Sequence, residues 1–153
     1  GSLEKDLEFY YGADWRNQIR PLGRAIAYVM RIHAIANDNP TLLIAHAYVR
    51  YMGDLSGGQR LCPMIRSALA LPDGVGTAFY EFKGLATIEA QRTFKRIYRN
   101  TLNGLSLADT SATELIEEAN LAFEFNRDVI KALAPRMKAV SQDRPAAELI
   151  SVG

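Results

Sequence analysis

Apolar residues recur at every third or fourth position along almost the whole chain of 153 residues. This spacing matches the 3.6-residue period of an α-helix, and no stretch shows the alternation between hairpin turns that predicts β-strands. Apolar residues make up 48% of the chain, which is enough to form one buried core. The sequence therefore predicts a single all-α domain built as a bundle of several helices.

Prolines, glycines and capping residues divide this pattern into separate helices. We predict helices over residues 3–11, from Pro21 to Asn37, from Pro40 to Pro63, from Met64 to before Pro72, from Thr87 to Leu102 and from Ser111 to Pro135. Ser111 and Glu114 would form a capping box at the start of the last helix. The helical domain then covers residues 3–135, residues 1–2 are an expression scar, and residues 136–153 form a frayed or disordered polar tail.

Charge and cysteine content argue against several classes of protein. The formal net charge is +1, so no global electrostatic attraction favours nucleic acid or an anionic membrane as a partner. No run approaches the roughly twenty apolar residues that a membrane-spanning helix needs. The single cysteine, Cys62, excludes an internal disulfide framework and fits a reducing compartment, the cytosol or an organelle stroma.

Gly53, Gly57 and Gly58 lie within six residues of one predicted helix, where each glycine costs about 1 kcal/mol relative to alanine. We therefore expect the helix to bend or loosen there. Gly53 and Gly57 share one face because they are four residues apart, and two explanations stay open. Either this face packs closely against another helix, with Asp54 a solvated or arginine-paired acid, or its backbone approaches a large flat ligand.

The stretch from His46 to Gln59 resembles the distal-helix signature of the haem oxygenases. It differs mainly by Val49, where threonine is common, and by Met52, where leucine is common. The resemblance extends from Leu3 to about residue 133, with further matching stretches at residues 3–12, 76–82, 94–99 and 117–126. It is closest to cyanobacterial and algal-plastid members.

The resemblance implies a haem oxygenase-like bundle that opens the haem ring oxidatively to biliverdin, carbon monoxide and ferrous iron. Haem would be both cofactor and substrate, with dioxygen as co-substrate. Electrons would come from ferredoxin or a reductase, and the basic helix face with Arg92 and Arg96 is a candidate docking surface for such an acidic donor. We expect a soluble protein of the cytoplasm or a plastid stroma.

The resemblance also implies roles for the residues of the signature. The backbone of Gly53, Gly57 and Gly58 would lie against the porphyrin. Asp54 would be catalytic without binding metal, because it orders waters that donate a proton during the reaction with dioxygen. Arg50 would be the second catalytic residue, as a member of the polar network that supports Asp54.

Five other residues match positions around the haem in relatives. Tyr48 would belong to the propionate surroundings. Lys95 and Arg99, four residues apart on one helix, would hold the propionates and fix the orientation of the macrocycle. Their spacing alone is typical of a solvated basic face. Phe123 and Asn126 would line the pocket, although Phe123 also fits simple core packing and Asn126 on an apolar stripe needs a partner.

The family's axial histidine lies in a first helix that would precede Leu3. We therefore expect the chain to be amino-terminally truncated and to provide no metal ligand. His33 falls on an apolar helix face with Val29 and Met30, and His46 lies inside the signature. For both histidines we expect packed or hydrogen-bonded structural roles, with substitution for the missing ligand as the alternative.

Two alternatives to an active haem oxygenase stay open. The chain is expected to bind haem poorly, or not to turn it over, for want of the axial histidine. A protein of the same fold could bind haem or a linear tetrapyrrole without catalysis. A helical module could also self-associate, as a homodimer, through apolar surface that the missing helices would cover.

Overall fold

The structure of the protein, a computed structural model, describes residues 1–72 and 74–143, with side chains except those of residues 109–110 and 136–143. Within these ranges the regular elements are helices and turns, without a strand. The α-helices are α1 (Ser2–Tyr11), α2 (Trp15–Gln18), α3 (Gly23–Asp38), α4 (Leu43–Ala47), α5 (Gln59–Ala68), α6 (Ile88–Asn103) and α7 (Asp109–Asp143). The predicted all-α class is confirmed. No helix in the described part is both long and apolar enough to cross a membrane.

Helices α3 and α7 pack against each other as an antiparallel pair, and α4 packs against both. Arg24 lies 3.8 Å from Asp128, and the ring of Tyr28 stacks on that of Phe125 with centroids 5.1 Å apart. From the first of these contacts to the second, the residue number rises on α3 and falls on α7. The two helices therefore run in opposite directions. The buried apolar side chains gather where these helices meet: Ile35, Ala45, Val49, Met52, Leu55 and Ala122.

The face of α3 that we predicted to be packed is exposed instead. Ile26, Val29 and Met30 are 48%, 51% and 66% exposed, and His33 on the same face is exposed too. The opposite face, with Tyr28, packs on α7. An apolar stripe shows which face a helix can bury but not which face meets a given neighbour. Among the described residues nothing covers this stripe, so the prediction that His33 is packed is wrong.

Three predicted helix boundaries are also wrong. Helix α5 runs through Pro63 without a restart, which the widened backbone turns before it make easier to accommodate. Helix α7 begins before Ser111, so the predicted capping box does not mark its start, and it continues past Pro135. Pro135 is exposed, so water can satisfy the carbonyl that loses its donor. Residues 144–153 of the predicted tail lie outside the described residues.

Helix α1 anchors the loop that follows α5. It ends at Gly12, whose positive φ of 79° is a backbone conformation that favours glycine. Both carboxylate oxygens of buried Asp6 accept hydrogen bonds, from the backbone N–H groups of Ala78 and Phe79, each at 2.8 Å. The Tyr10 hydroxyl donates to the carbonyl of Gly76 at 2.9 Å. These bonds fix a 3₁₀ turn, Ala78–Tyr80, against α1.

Candidate functional site

The glycine-rich part of the signature forms two π-helical turns, Tyr48–Met52 and Asp54–Gly58, between α4 and α5. The predicted loosening of the helix is therefore confirmed. Glycine is a weak helix former, and wide π turns inside helices are frequently found at functional sites. We call residues 53–58 the glycine segment.

Gly53 and Gly57 present an open stretch of backbone. A Cβ atom built on either residue would meet no heavy atom within 4 Å, apart from the helix's own backbone. At Gly58, by contrast, it would lie 2.5 Å from Cδ1 of Tyr80. Close packing therefore explains Gly58, whereas no described residue packs closely on the side-chain face of Gly53 or Gly57. Such a face suits a large flat ligand.

Arg50 holds Asp54 beside this open face. Its Nη2 donates to Oδ2 of Asp54 at 3.0 Å and to Oδ1 at 3.3 Å, and its Nη1 donates to Oδ1 of Asn126 at 2.6 Å. Asn126 in turn donates to the carbonyl of Ala122 at 2.7 Å, which supplies the partner that the sequence demanded. Burial raises the pKa of Asp54, against the lowering effect of the Arg50 charge. The result is a half-buried carboxyl that gains protons more readily than an ordinary aspartate.

A buried polar cluster that the sequence did not predict lies behind Asp54. His46 is 5% exposed and Glu118 4%. The Nε2 atom of His46 lies 2.8 Å from Oε1 of Glu118 and its Nδ1 lies 3.0 Å from the Tyr28 hydroxyl. Arg31 donates to both carboxylate oxygens of Glu118, and this bond is the main reason that the pKa of Glu118 is lowered.

Since Glu118 is ionised, the N–H on Nε2 of His46 donates to it, and Nδ1 shares a hydrogen bond with the Tyr28 hydroxyl. The predicted structural role of His46 is therefore confirmed. Both ring nitrogens are occupied, so His46 is not available to ligate iron without breaking this cluster. One signal for Glu118 was present in the sequence: an acid on the apolar stripe of α7, where a buried charge needs partners.

The predicted propionate-binding residues lie on α6, next to the signature. Lys95 and Gly57 line one cavity of about 600 Å³. Arg99 and Tyr48 line a second cavity of about 390 Å³, which is mainly apolar. The structure thus brings one cation to the glycine segment and the other to Tyr48.

Phe123 is 57% exposed on α7, three residues before Asn126, so simple core packing does not describe it within the described chain. No group of three or more His, Cys, Asp or Glu side chains in that part is arranged to hold a metal ion. The assignments of Phe123, Gly58, Lys95 and Arg99 to ligand binding stay predictions.

Comparison with known proteins agrees with this arrangement. A family model described as "Heme oxygenase" matches residues 1–132. "Heme oxygenase 2" of Synechocystis is 48% identical over 94% of this chain and 61% of its own length. "Heme oxygenase" of the alga Rhodella violacea is 47% identical over 86% of this chain and 55% of its own. The chain thus spans little more than half the length of these relatives.

Solved structures give the same result. The crystal structure of heme oxygenase-2 from Synechocystis in complex with heme and NO superposes with a TM-score of 0.88 at 50% identity, covering 92% of this chain and 57% of the other. Heme oxygenase from Leptospira interrogans superposes with a TM-score of 0.76 at 40% identity, covering 84% of this chain and 61% of the other. The predicted resemblance is confirmed, and the chain belongs to the haem oxygenase family.

Proposed function

We propose that this protein binds haem as its substrate and takes part in its oxidative ring opening to biliverdin, carbon monoxide and ferrous iron. The observation that carries this proposal is the open backbone of Gly53 and Gly57 beside the Arg50-bound carboxyl of Asp54. A flat macrocycle fits such a face, and a polar group at its edge can act on a reaction above the ring. Bound haem would supply the iron at which dioxygen is reduced.

Five residues would hold the haem together with the glycine segment. Lys95 and Arg99 carry the positive charges that two propionates require, and neither side chain forms an ion pair or hydrogen bond with another described residue. Tyr48 lies beside Arg99. Phe123 is exposed on α7 and offers an apolar ring to the macrocycle, and half-buried Asn126 lies one turn further along the helix. Gly58 would contribute backbone only, because Tyr80 occupies the space for a side chain.

Asp54 would move protons through water rather than touch the metal. Its raised pKa allows it to take up a proton from bulk water and pass it on through ordered waters. Arg50 would keep the carboxyl oriented, and Asn126 would keep Arg50 in place. In a form of the protein that turns haem over, Asp54→Ala should keep haem but divert the reaction away from ring opening. The test compares haem affinity and biliverdin yield, and a normal yield would remove Asp54 from the mechanism.

We further propose that neither described histidine ligates the haem iron. Both nitrogens of His46 are engaged in the buried cluster, and His33 stands on the exposed stripe of α3, away from α7. Haem binding by residues 1–153 should then depend on an added imidazole ligand. On this proposal residues 1–153 supply the distal side of the haem site.

The electron donor would be ferredoxin or a reductase that docks on α6. Arg92 and Arg96 are exposed there, and their side chains make no ion pair or hydrogen bond within the described chain. Arginine side chains without a carboxylate partner attract an acidic protein surface and raise the rate of association with the donor. Such chemistry suits the cytoplasm or a plastid stroma, where a lone Cys62 stays reduced.

A second candidate function is self-association, alone or with haem or a linear tetrapyrrole bound without catalysis. The exposed stripe of Ile26, Val29 and Met30 on α3 favours it, because exposed apolar patches commonly mark interfaces. A homodimer formed through this stripe should weaken when Met30 is replaced by glutamate. Sedimentation of wild type and Met30→Glu across a concentration series tests this, and equal, concentration-independent masses would reject it.

A further inference from the structure

Tyr80 presses directly on the backbone of the glycine segment. A Cβ on Gly58 would lie 2.5 Å from Cδ1 and 2.9 Å from Cε1 of Tyr80, distances that carbon atoms do not tolerate. The ring therefore fills the side-chain space of Gly58, while Gly53 and Gly57 stay open. Two of the three glycines leave room for a ligand and the third makes room for Tyr80.

Tyr80 is held by bonds to other elements. Its turn is fixed by Asp6, which accepts from the N–H groups of Ala78 and Phe79. Its carbonyl accepts a hydrogen bond of 2.7 Å from Nε2 of Gln59, the residue that follows the glycine segment. The backbone that carries the Tyr80 ring is thus tied to α1 on one side and to the start of α5 on the other, which limits how far the ring can move away from Gly58.

Gln59 also connects the glycine segment to α6. Its Oε1 accepts a hydrogen bond of 3.2 Å from Nε2 of Gln91, and the same group of Gln91 donates to the carbonyl of Leu85 at 2.9 Å. Gln91 stands four residues before Lys95 and eight before Arg99 on α6. The two predicted contacts to haem, open backbone and cations, are therefore joined through one pair of amide side chains.

We propose that Tyr80, Gln59 and Gln91 form a positioning clamp that sets the height and register of the open glycine backbone relative to Lys95 and Arg99. The inference rests on the proposed haem site and adds three residues that would act by holding the parts of that site in place. A π-helical segment with three glycines is easily deformed, because its hydrogen bonds are poor and glycine is flexible. A flat ligand that contacts both the glycine backbone and the cations of α6 needs their relative position fixed to a fraction of an ångström. The clamp would fix that position.

Amide hydrogen exchange of the ligand-free chain tests the clamp without haem. Tyr80→Ala should speed exchange in residues 53–58 by about tenfold, which corresponds to about 1.4 kcal/mol of local stability, and should leave the centre of α7 unchanged. Tyr80→Phe is the matched control, because the Tyr80 hydroxyl makes no hydrogen bond to a described residue and the ring is kept. It should exchange like wild type.

A double variant distinguishes loss of the Tyr80–Gly58 contact from general misfolding. Gly58→Ala alone should be destabilised by the clash, and adding Tyr80→Ala should relieve it, so that the double variant is more stable than Gly58→Ala. Gln91→Leu keeps the side-chain size but removes both donated bonds, and should speed exchange in residues 53–58 as well. Unchanged exchange there in Tyr80→Ala and Gln91→Leu, or an equal increase in α7, would overturn the proposal.

Haemin binding in the presence of imidazole gives the second readout. Gln91→Leu should bind about tenfold more weakly and give two sets of haem methyl signals by proton NMR where wild type gives one, since the propionate side is no longer held in register. Tyr80→Phe should match wild type. One set of signals and wild-type affinity in Gln91→Leu would overturn the clamp. If wild type itself fails to bind haemin, the proposed function fails, and the exchange experiment still decides whether the clamp exists.

Discussion

Alanine at two adjacent glycines should have opposite effects on this protein. At Gly57 the added methyl group meets no heavy atom within 4 Å, and at Gly58 it collides with the ring of Tyr80. Alanine is favoured over glycine inside a helix by about 1 kcal/mol, so Gly57→Ala should leave the free energy of unfolding unchanged or raise it by up to that amount. Overpacking costs about 1–3 kcal/mol, so Gly58→Ala should lower it.

Gly57→Ala and Gly58→Ala also distinguish an effect on folding from an effect on ligand binding. Because the methyl group of Gly57→Ala would project from the face proposed to carry the macrocycle, haemin should bind about tenfold more weakly, a loss of about 1.4 kcal/mol. Urea unfolding followed by far-UV circular dichroism measures the stability of both variants, and optical titration with haemin and imidazole measures affinity. Equal destabilisation by both substitutions would refute the packing argument. Wild-type haemin affinity in Gly57→Ala would refute the proposed haem face.

Two further predictions follow from charge. Glu118→Gln removes the buried charge between Arg31 and His46 and should cost about 2–3 kcal/mol of stability at neutral pH, allowing for the partial exposure of Arg31. Because the folded-state pKa of Glu118 is lowered, its contribution is present above the ordinary pKa of about 4.3 and lost as the pH falls through the folded value. Urea unfolding from pH 3 to 7 should show this loss in wild type and not in the variant; identical pH profiles would contradict it. Replacing Arg96 by glutamate should slow reduction of bound haem without changing haem affinity, because Arg96 does not line the cavity that holds Lys95 and Gly57. An unchanged rate in stopped-flow reduction would exclude this face as the donor surface.

Local sequence features predicted the parts of the fold that depend on local chemistry. Gly12 ends α1 as expected, and Asn37–Pro40 brackets the end of α3. The glycine segment loosens the helix because three residues without Cβ atoms weaken it wherever they occur. The position of Asp54 beside Gly53 and Gly57 follows from their spacing in the chain.

Features that depend on the neighbouring element escaped prediction. The apolar stripe of α3 was expected to be packed, yet Tyr28 on the other face meets α7 because Phe125 and Glu118 offer it stacking and a polar cluster. The contact of Tyr80 with Gly58 joins residues 22 positions apart through a loop whose path no local pattern sets. Pro135 was expected to end α7, but an exposed proline costs a long helix only part of its stability.

The open backbone of Gly53 and Gly57, with Asp54 beside it, is proposed as the distal side of a haem site. Optical titration of residues 1–153 with haemin, with and without imidazole, tests this proposal most directly. We expect weak, heterogeneous spectra without imidazole and a sharp one-to-one complex of histidine-ligated type when imidazole is added. Absence of stoichiometric binding with imidazole present, from a chain that is folded by circular dichroism, would contradict it.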